Sequence, residues 1–396
     1  MARAFVVFFE GVFGLALALT LAAADQPAVA SPAPAEFIDD VRPIFELVTC
    51  QATPSGIDAS VVDKWCVKQK RRYDRFTSKW GKKANGFLTP HKPAGLPTSV
   101  VYPFGGGDLM SALQLFPEAQ EVTTISLELA GDPRRWKSLS DAKVLKKSLK
   151  VIADVSESTL INNDSVSEEM SDAQRGELPA QLSMHLMGLA LAGQEPVSVR
   201  FFRLESDGSL HYLTLDDIDA LDGKKAKKLN DEWKSPDFSP AFANVEVQFV
   251  PKGQRDATPR IHRHFAANLA NKKLPAGLIA HLEKKGRVTA MTKAASYLLW
   301  DGGFSKLTNW LLANAVFMVS DSTGVPPSEW KEKGCKVEAF GKFEKPFLVE
   351  AQNDPHVDEV KALFENAKKV PMRFGYADGT EQKNDHLIIA NCVKTK

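Results

Sequence analysis

The sequence carries almost no excess charge of either sign. Its 50 Lys and Arg residues nearly balance its 49 Asp and Glu residues, which gives a formal net charge of +1 at pH 7. So small a net charge produces no long-range field that would attract polyanions. Short basic runs at residues 68–72 and 224–228 are typical of solvated faces or loops, and aromatic residues are not interleaved with them as in nucleic-acid-binding stretches. We therefore expect no nucleic acid among the partners.

Long hydrophobic runs are missing after the first two dozen residues, so we expect no transmembrane segment in the mature chain. Residues 1–24 have the pattern of a secretory signal peptide, with a positive Arg3, an apolar stretch at residues 11–21 and three alanines before Asp25. The alternative is a retained anchor, but Glu10 interrupts the run, and a charge in the middle of a membrane is costly. The sequence therefore predicts a soluble periplasmic or secreted protein.

The rest of the chain divides into three predicted parts. Residues 25–36 are rich in Ala and Pro and bury little apolar surface, which indicates a disordered leader. Residues 37–98 contain two segments with apolar residues at helical spacing, and we expect them to form an N-terminal helical cap. Residues 99–396 are predicted to form an α/β domain.

Cysteine is scarce, and its four positions bear on redox state and metal binding. In an oxidising compartment an even number of cysteines favours disulfides, and four cysteines allow three pairings. We favour Cys50–Cys66, which are close in sequence, together with Cys335–Cys392. The alternative is a zinc site, but the chain has no C-x-x-C pair, so no metal is expected.

The clearest structural unit begins at residue 99. A buried strand at residues 99–104 and a second strand at residues 122–128 flank a predicted helix at residues 109–116, and this order indicates a parallel β-α-β unit. Later segments include a hairpin signal at Asp207-Gly208. The predicted fold class is therefore α/β, with a Rossmann-like parallel β-α-β core, additional antiparallel strands and the N-terminal helical cap.

The loop between the first strand and its helix is the first candidate ligand site. Consecutive glycines let the backbone approach a ligand, and Glu128 ends the next strand, where dinucleotide and adenosyl-methionine folds place a ribose-binding acid. The G-x-G-x-x-G pattern is incomplete because Met110 stands at its last glycine position, and Asp108 would repel a pyrophosphate. A cationic or hydroxyl-rich ligand fits these charges better; the alternative is a tight structural turn whose Asp108 caps the helix. The candidate residues are Gly105, Gly106, Gly107, Asp108 and Glu128.

A second candidate is the pair Lys293 and Tyr297. Residues 291–300 are predicted to be helical, and residues four apart share one face of a helix. A nearby lysine can lower the pKa of a tyrosine and make it an acid or base. The alternative is that the lysine stem packs on the aromatic ring.

A third candidate is the polar turn at residues 320–324, which follows an apolar strand at residues 316–319. Ligand sites of α/β sheets collect at the carboxyl ends of strands, so Asp321 and Ser322 are candidates for binding a cation or a sugar. The alternative is a polar turn closed by its own side chains. His262 and His264 would face the same way on a strand but lack a third metal ligand, and His185 is predicted to lie in the core.

Three motifs together resemble a family of exported bacterial proteins with no assigned function: YPFGGGD at residues 102–108, KAASYL at residues 293–298 and DSTGVP at residues 321–326. The resemblance extends over about residues 99–390. It implies the fold unit and, carried over residue by residue, the positions Asp108, Glu128, Lys293, Ser296, Tyr297, Asp321 and Gly324. The chain departs from the family pattern in its glycine loop, where the family has serine and proline, and at Ser322, where the family has a second acid.

Two classes of function remain open. In the first, the chain is an exported binding or structural protein whose partner is a small molecule or an envelope protein. In the second, it is an enzyme, a transferase or hydrolase, in which Asp108, Lys293, Tyr297 and Asp321 converge on one pocket. The two classes differ in whether these side chains meet in one cleft. The sequence identifies no cofactor.

Overall fold

A ten-stranded mixed sheet forms the centre of the molecule in the computed structural model, which describes residues 32–162, 170, 173–293, 295–346, 349–375 and 385–393. The predicted signal peptide and the leader up to residue 31 lie outside the described residues. The strands are β1 Ser99–Pro103, β2 Glu121–Ser126, β3 Gln194–Leu204, β4 Leu210–Tyr212, β5 Asn244–Pro251, β6 Arg260–Ala266, β7 Val288–Met291, β8 Ala315–Ser320, β9 Lys336–Gly341 and β10 His386–Asn391.

The order of the strands in the sheet is β4-β3-β5-β6-β2-β1-β7-β8-β10-β9. The five central strands, β6-β2-β1-β7-β8, are all parallel to one another. The remaining strands pair antiparallel at both edges. The mixed α/β class and the parallel pairing of β1 with β2 are thus confirmed. Continuous burial along β8 fits a central strand that is covered on both faces.

Helices cover both faces of the sheet. They are α1 Ile38–Val48, α2 Ala59–Phe76, α3 Lys82–Leu88, α4 Leu109–Leu115, α5 Ala142–Glu157, α6 Ala180–Leu191, α7 Leu215–Asp219, α8 Ala276–Glu283, α9 Ser305–Asn314, α10 Pro327–Glu332 and α11 His356–Phe364. The first face packs against α1, α2 and α4 to α6 in one hydrophobic cluster. The second face packs against α8 to α10. None of the helices in the described ranges is long and apolar enough to cross a membrane.

The N-terminal segment is joined to the sheet. Helix α1 packs against β3 and α6, and residues 34–396 form one compact unit. Ala35 is buried and donates its backbone N–H to Leu213 O at 2.8 Å. The Glu36 carboxylate accepts the Val199 N–H at 2.6 Å. The last two residues of the predicted leader therefore belong to the folded body.

Both predicted disulfides are present. Cys50 is bonded to Cys66, and Cys335 at the start of β9 is bonded to Cys392 just after β10. The second bridge joins the last strand to its neighbour. No free cysteine remains.

The helix predicted at residues 291–300 is wrong. Strand β7 ends at Met291, Ala295 has a left-handed φ of +53°, and a 3-10 helix occupies Ser296–Trp300. Strand β7 is buried along its whole length, Val288–Met291, and it ends at the first residue of the predicted helix. Lys293 and Tyr297 consequently do not share one helix face.

Candidate functional site

A cavity of about 700 Å³ opens at the carboxyl ends of the central parallel strands. Its walls come from the loop after β1, the end of β2, residues 267–273 after β6, and Lys293 and Ala295 after β7. The sheet order turns at β1, because β2 lies on one side of it and β7 on the other. Crevices at such turning points are the usual ligand sites of open α/β sheets.

The glycine loop forms the wall next to β1, and its shape requires glycine. A Cβ on Gly105 would lie 2.9 Å from Tyr102 O, and one on Gly107 would lie 2.7 Å from Met184 Cβ in α6. Gly106 has a φ of +48°, and the nearest atom to a Cβ there would be an oxygen of Glu128 at 3.8 Å. The backbone of Gly106 therefore faces the cavity with space in front of it.

Two strained residues stand at the rim of the same cavity. Phe104 has a φ of +59° and Ala295 a φ of +53°, and both line the cavity. In the described part of the chain only Cys50, which is held by a disulfide, is a further non-glycine residue with positive φ. Such conformations are costly and concentrate at functional sites, where the surrounding structure maintains them.

Asp108 and Lys293 form a nearly buried ion pair in the cavity wall. Lys293 Nζ donates to Asp108 Oδ2 at 2.8 Å and to Ser111 Oγ at 2.9 Å, and its side chain is 6% exposed. Asp108 Oδ1 accepts the Ser111 N–H at 3.3 Å, so Asp108 also caps α4. The Lys293 ammonium lies 5.0 Å from the ring centre of Trp80. The pair leaves this wall without net charge.

The end of β2 provides two oxygen-bearing side chains. Glu128 is 3% exposed and Ser126 is 7% exposed, and both line the cavity. The Ser126 hydroxyl has no hydrogen-bond partner among the described residues, so it is available to a molecule in the cavity. The sequence analysis missed Ser126, although its position two residues before Glu128 was the available signal.

Three buried histidines, His185, His262 and His264, form a cluster behind the loops that face the cavity. His264 Nε2 donates to Glu128 O at 2.7 Å, and His185 Nε2 lies 3.2 Å from Gly106 O and 3.0 Å from the Gln181 amide nitrogen. Because His264 uses its Nε2 proton, its Nδ1 accepts from the Thr124 hydroxyl at 3.0 Å, and that hydroxyl in turn accepts from His262 Nε2 at 3.0 Å. The histidines thus connect the two loops that face the cavity.

Burial keeps these imidazoles neutral. It lowers the pKa of His264 to about 4 and holds the pKa values of His185 and His262 well below the ordinary value of an imidazole. Each of the latter two also lies near other imidazoles of the cluster, which oppose its protonation. The sequence placed His185 in the core but gave no sign that it supports the glycine loop.

The remaining sequence candidates lie away from the cavity. Tyr297 is half-buried in the 3-10 helix and does not line it. Asp321 is fully buried, and its Oδ1 accepts from Ser296 Oγ at 2.6 Å and from the Thr323 N–H at 3.0 Å. Burial raises the pKa of Asp321. Ser322 is also buried and donates its N–H to His386 Nδ1 at 3.1 Å. Of the four side chains that an enzyme was expected to bring together, the cavity contains Asp108 and Lys293.

Neither a metal-binding group among the described residues nor a similar known protein indicates what this site binds. Across the described ranges, no group of three or more His, Cys, Asp or Glu residues is arranged to hold a metal ion. Comparisons with protein-family models, with curated proteins and with solved structures found no match.

Proposed function

We propose that this protein is exported and binds a hydroxyl-rich small molecule of the ribosyl type in the cavity at the carboxyl ends of β1, β2 and β7. The meeting of the glycine loop with Ser126 and Glu128 carries this proposal. A carboxylate and a hydroxyl in the wall of one cavity suit the hydroxyl groups of a sugar, and dinucleotide-binding folds use an acid in this way. A volume of about 700 Å³ falls within the range of small-molecule sites.

The charges around the glycine loop argue against a phosphate in the cavity. Helix α4 has only seven residues, and the Asp108 carboxylate already accepts from its first turn. Lys293, which contacts the loop through Asp108, is neutralised by that carboxylate. A neutral, hydroxyl-bearing ligand meets no uncompensated charge at this wall.

The order of the parallel strands also supports a ligand site at the ends of β1 and β2. We infer that the five parallel strands β6-β2-β1-β7-β8 form a Rossmann-like core, because they follow the 3-2-1-4-5 order of such folds. The glycine loop and Glu128 then occupy the ends of its first and second strands. The position of Glu128 after the second strand supports the proposal that it holds a ribose.

Export is supported by two independent features. Residues 1–24 have the pattern of a signal peptide, and disulfides of the kind formed by Cys50–Cys66 and Cys335–Cys392 persist in oxidising compartments. We infer a periplasmic or secreted location.

A second candidate function, a transferase that uses S-adenosylmethionine, is favoured by one feature of the sheet. Strand β10 runs antiparallel between β8 and β9, and this insertion into a Rossmann-like order is typical of methyltransferase folds. The residues fit the nucleoside part, since Glu128 would hold the ribose and the glycine loop would approach the rest of the molecule. When bound, this compound supplies an electrophilic methyl group. The likeness is one of topology, which by itself does not assign an activity.

Calorimetric titration with adenosine, S-adenosylmethionine, S-adenosylhomocysteine, ribose and glucose tests the proposal. We expect at least one of them to bind, with an affinity reduced tenfold or more in Glu128→Gln and less strongly in Ser126→Ala. Glu118→Gln is the matched control, because Glu118 forms a half-exposed ion pair with Lys92 outside the cavity. Tighter binding of the two sulfur compounds than of adenosine would favour the transferase. Absence of binding across the set would reject a ribosyl or sugar ligand.

A further inference from the structure

A second concavity, of about 410 Å³, lies where the α2–α3 rod meets residues 370–373. We call it the basic groove and define it by its charged walls, Arg75, Lys79, Lys83 and Arg373. Among the described residues, Asp385 is the one acid in its wall. Phe76, Trp80, Leu160 and Met372 form the apolar part. Four basic side chains therefore surround a small concave surface with one carboxylate.

One continuous helical rod presents three of these cations. Helices α2 and α3 are joined by a π-helical turn at Thr77–Gly81, so the chain is helical from residue 59 to residue 88. Arg75, Lys79 and Lys83 are four residues apart, which is close to one helical turn and places them on the same side. Isolated π turns occur frequently at functional sites.

The four cations of the basic groove form no ion pair with the residues that the structure describes. Arg75, Lys79, Lys83 and Arg373 are all exposed. By contrast, Arg72 on the same rod pairs with Glu157 at 2.7 Å. Like charges that converge without partners repel one another, and a bound anion relieves that repulsion.

The fourth cation is held next to the rod by a partly buried hydrogen bond. Trp80 Nε1 donates to Arg373 O at 2.7 Å, and the Trp80 ring stacks on Phe76 with ring centres 5.4 Å apart. Arg373 is 290 residues or more from the rod's cations in sequence, yet its backbone is fixed against the π turn. The groove is thus built by tertiary structure and is more than a run of basic residues along one helix.

We propose that the basic groove binds the phosphoryl group of an anionic ligand. Arg and Lys are the side chains that proteins use for phosphate, and the exposed guanidinium groups of Arg75 and Arg373 offer paired N–H donors. The apolar floor suits the organic part of a phosphate ester. Thr159 lies in the wall of both concavities, so this anion site adjoins the cavity while using different side chains.

The phosphate can belong to a soluble ester or to a lipid headgroup, and two binding assays separate these sources. Calorimetry uses inorganic phosphate and glycerol 3-phosphate at low and at physiological salt. Vesicle flotation compares phosphatidylglycerol mixed into phosphatidylcholine with phosphatidylcholine alone. Binding in the first assay identifies a soluble ester and binding in the second an anionic headgroup; either result supports the proposal when the variants below behave as stated.

The decisive comparison is between two triple variants that remove the same charge. Lys79→Gln/Lys83→Gln/Arg373→Gln alters the groove, and Lys146→Gln/Lys147→Gln/Lys150→Gln alters exposed lysines of α5 outside it. We expect at least a tenfold loss of affinity for the first and less than a twofold loss for the second. Failure of every phosphate-bearing probe to bind, or an equal loss in both variants, would overturn the proposal. Glu128→Gln should leave phosphate binding unchanged, so this result is independent of the cavity ligand.

Discussion

Lys293 and Asp108 are 185 residues apart in sequence, and their side chains meet at 2.8 Å. Each follows one of two neighbouring parallel strands, β7 and β1, so the carboxyl edge of the sheet brings them together. Asp108 therefore has two roles, as the cap of α4 and as the partner of a nearly buried ammonium group. The pair fixes the glycine loop to the strand next to it.

The first prediction concerns the stability of this pair. A buried charge that loses its partner costs about 3–5 kcal/mol, so we expect Lys293→Met to lower the free energy of unfolding by about 3 kcal/mol. Asp108→Asn keeps an N-cap but leaves the ammonium unpaired, so its cost should exceed the value of about 1 kcal/mol typical of a cap alone. Urea unfolding of both single variants and the double variant measures the coupling. If the two single costs simply add, the charges do not stabilise each other.

The second prediction concerns the open side of the glycine loop. Gly106 and Gly193 both have positive φ, +48° and +70°, and a Cβ on Gly193 meets no atom within 4 Å. Alanine at either position should cost roughly 1–2 kcal/mol through backbone strain. Only Gly106→Ala places a methyl group in the cavity in front of Glu128, so only this variant should weaken the cavity ligand, by about tenfold. Thermal melts and calorimetry of both variants separate the two effects, and equal ligand affinities would contradict our placement of the ligand.

The sequence predicted the parts of the site that are set by local signals. The strand, the glycine loop, the capping Asp108 and the next strand all leave patterns within about thirty residues, and this unit formed as expected. The pairing of Cys335 with Cys392 was also within reach, because four cysteines allow few combinations. Local periodicity and turn chemistry are the strongest information that a single sequence contains.

Other parts of the site depend on contacts between distant residues. The spacing of Lys293 and Tyr297 resembles a helix, but tertiary pairing makes residues 288–291 a strand, and the left-handed Ala295 separates the two side chains. His185 reads as an ordinary apolar-helix residue, since nothing near it in sequence reveals Gly106 O as its partner. Ser126 is marked only by its burial without a partner, which is a property of the folded state.

The third prediction compares the two disulfides. The Cys335–Cys392 bridge closes a longer loop than Cys50–Cys66, with sequence separations of 57 and 16. On the chain-entropy account the longer loop stabilises by about 1 kcal/mol more. We therefore expect Cys335→Ser/Cys392→Ser to lower the free energy of unfolding by about that much more than Cys50→Ser/Cys66→Ser. Urea unfolding measures both, and titration of the denatured wild-type protein should find no free thiol. A larger loss from the shorter loop would show that local packing dominates.

The last prediction concerns acid stability and follows from the histidines below the cavity. His264 is fully buried, and its pKa falls from 6.5 in the unfolded chain to about 4 in the folded protein. The unfolded state therefore binds the proton first, so the stabilising contribution is present above pH 6.5 and is lost as the pH falls towards 4. The size of this loss at pH 4 is about 3 kcal/mol for His264 alone.

The contribution of Asp321 to the pH dependence of stability has the opposite sign to that of His264. Burial raises the pKa of Asp321, so its protonation stabilises the folded state as the pH falls. The variant His264→Asn removes the titration of His264 and leaves Asp321 unchanged. We expect urea unfolding at pH 7, 6, 5 and 4 to show a shallower fall in stability for His264→Asn than for the wild type. Because His264 holds Glu128 O, the same variant should also weaken the cavity ligand at pH 7, where the imidazole is neutral. Parallel pH curves for the two proteins would mean that His264 has the same pKa in the folded and in the unfolded protein. That result would contradict its assignment as a buried, neutral imidazole that holds Glu128 O.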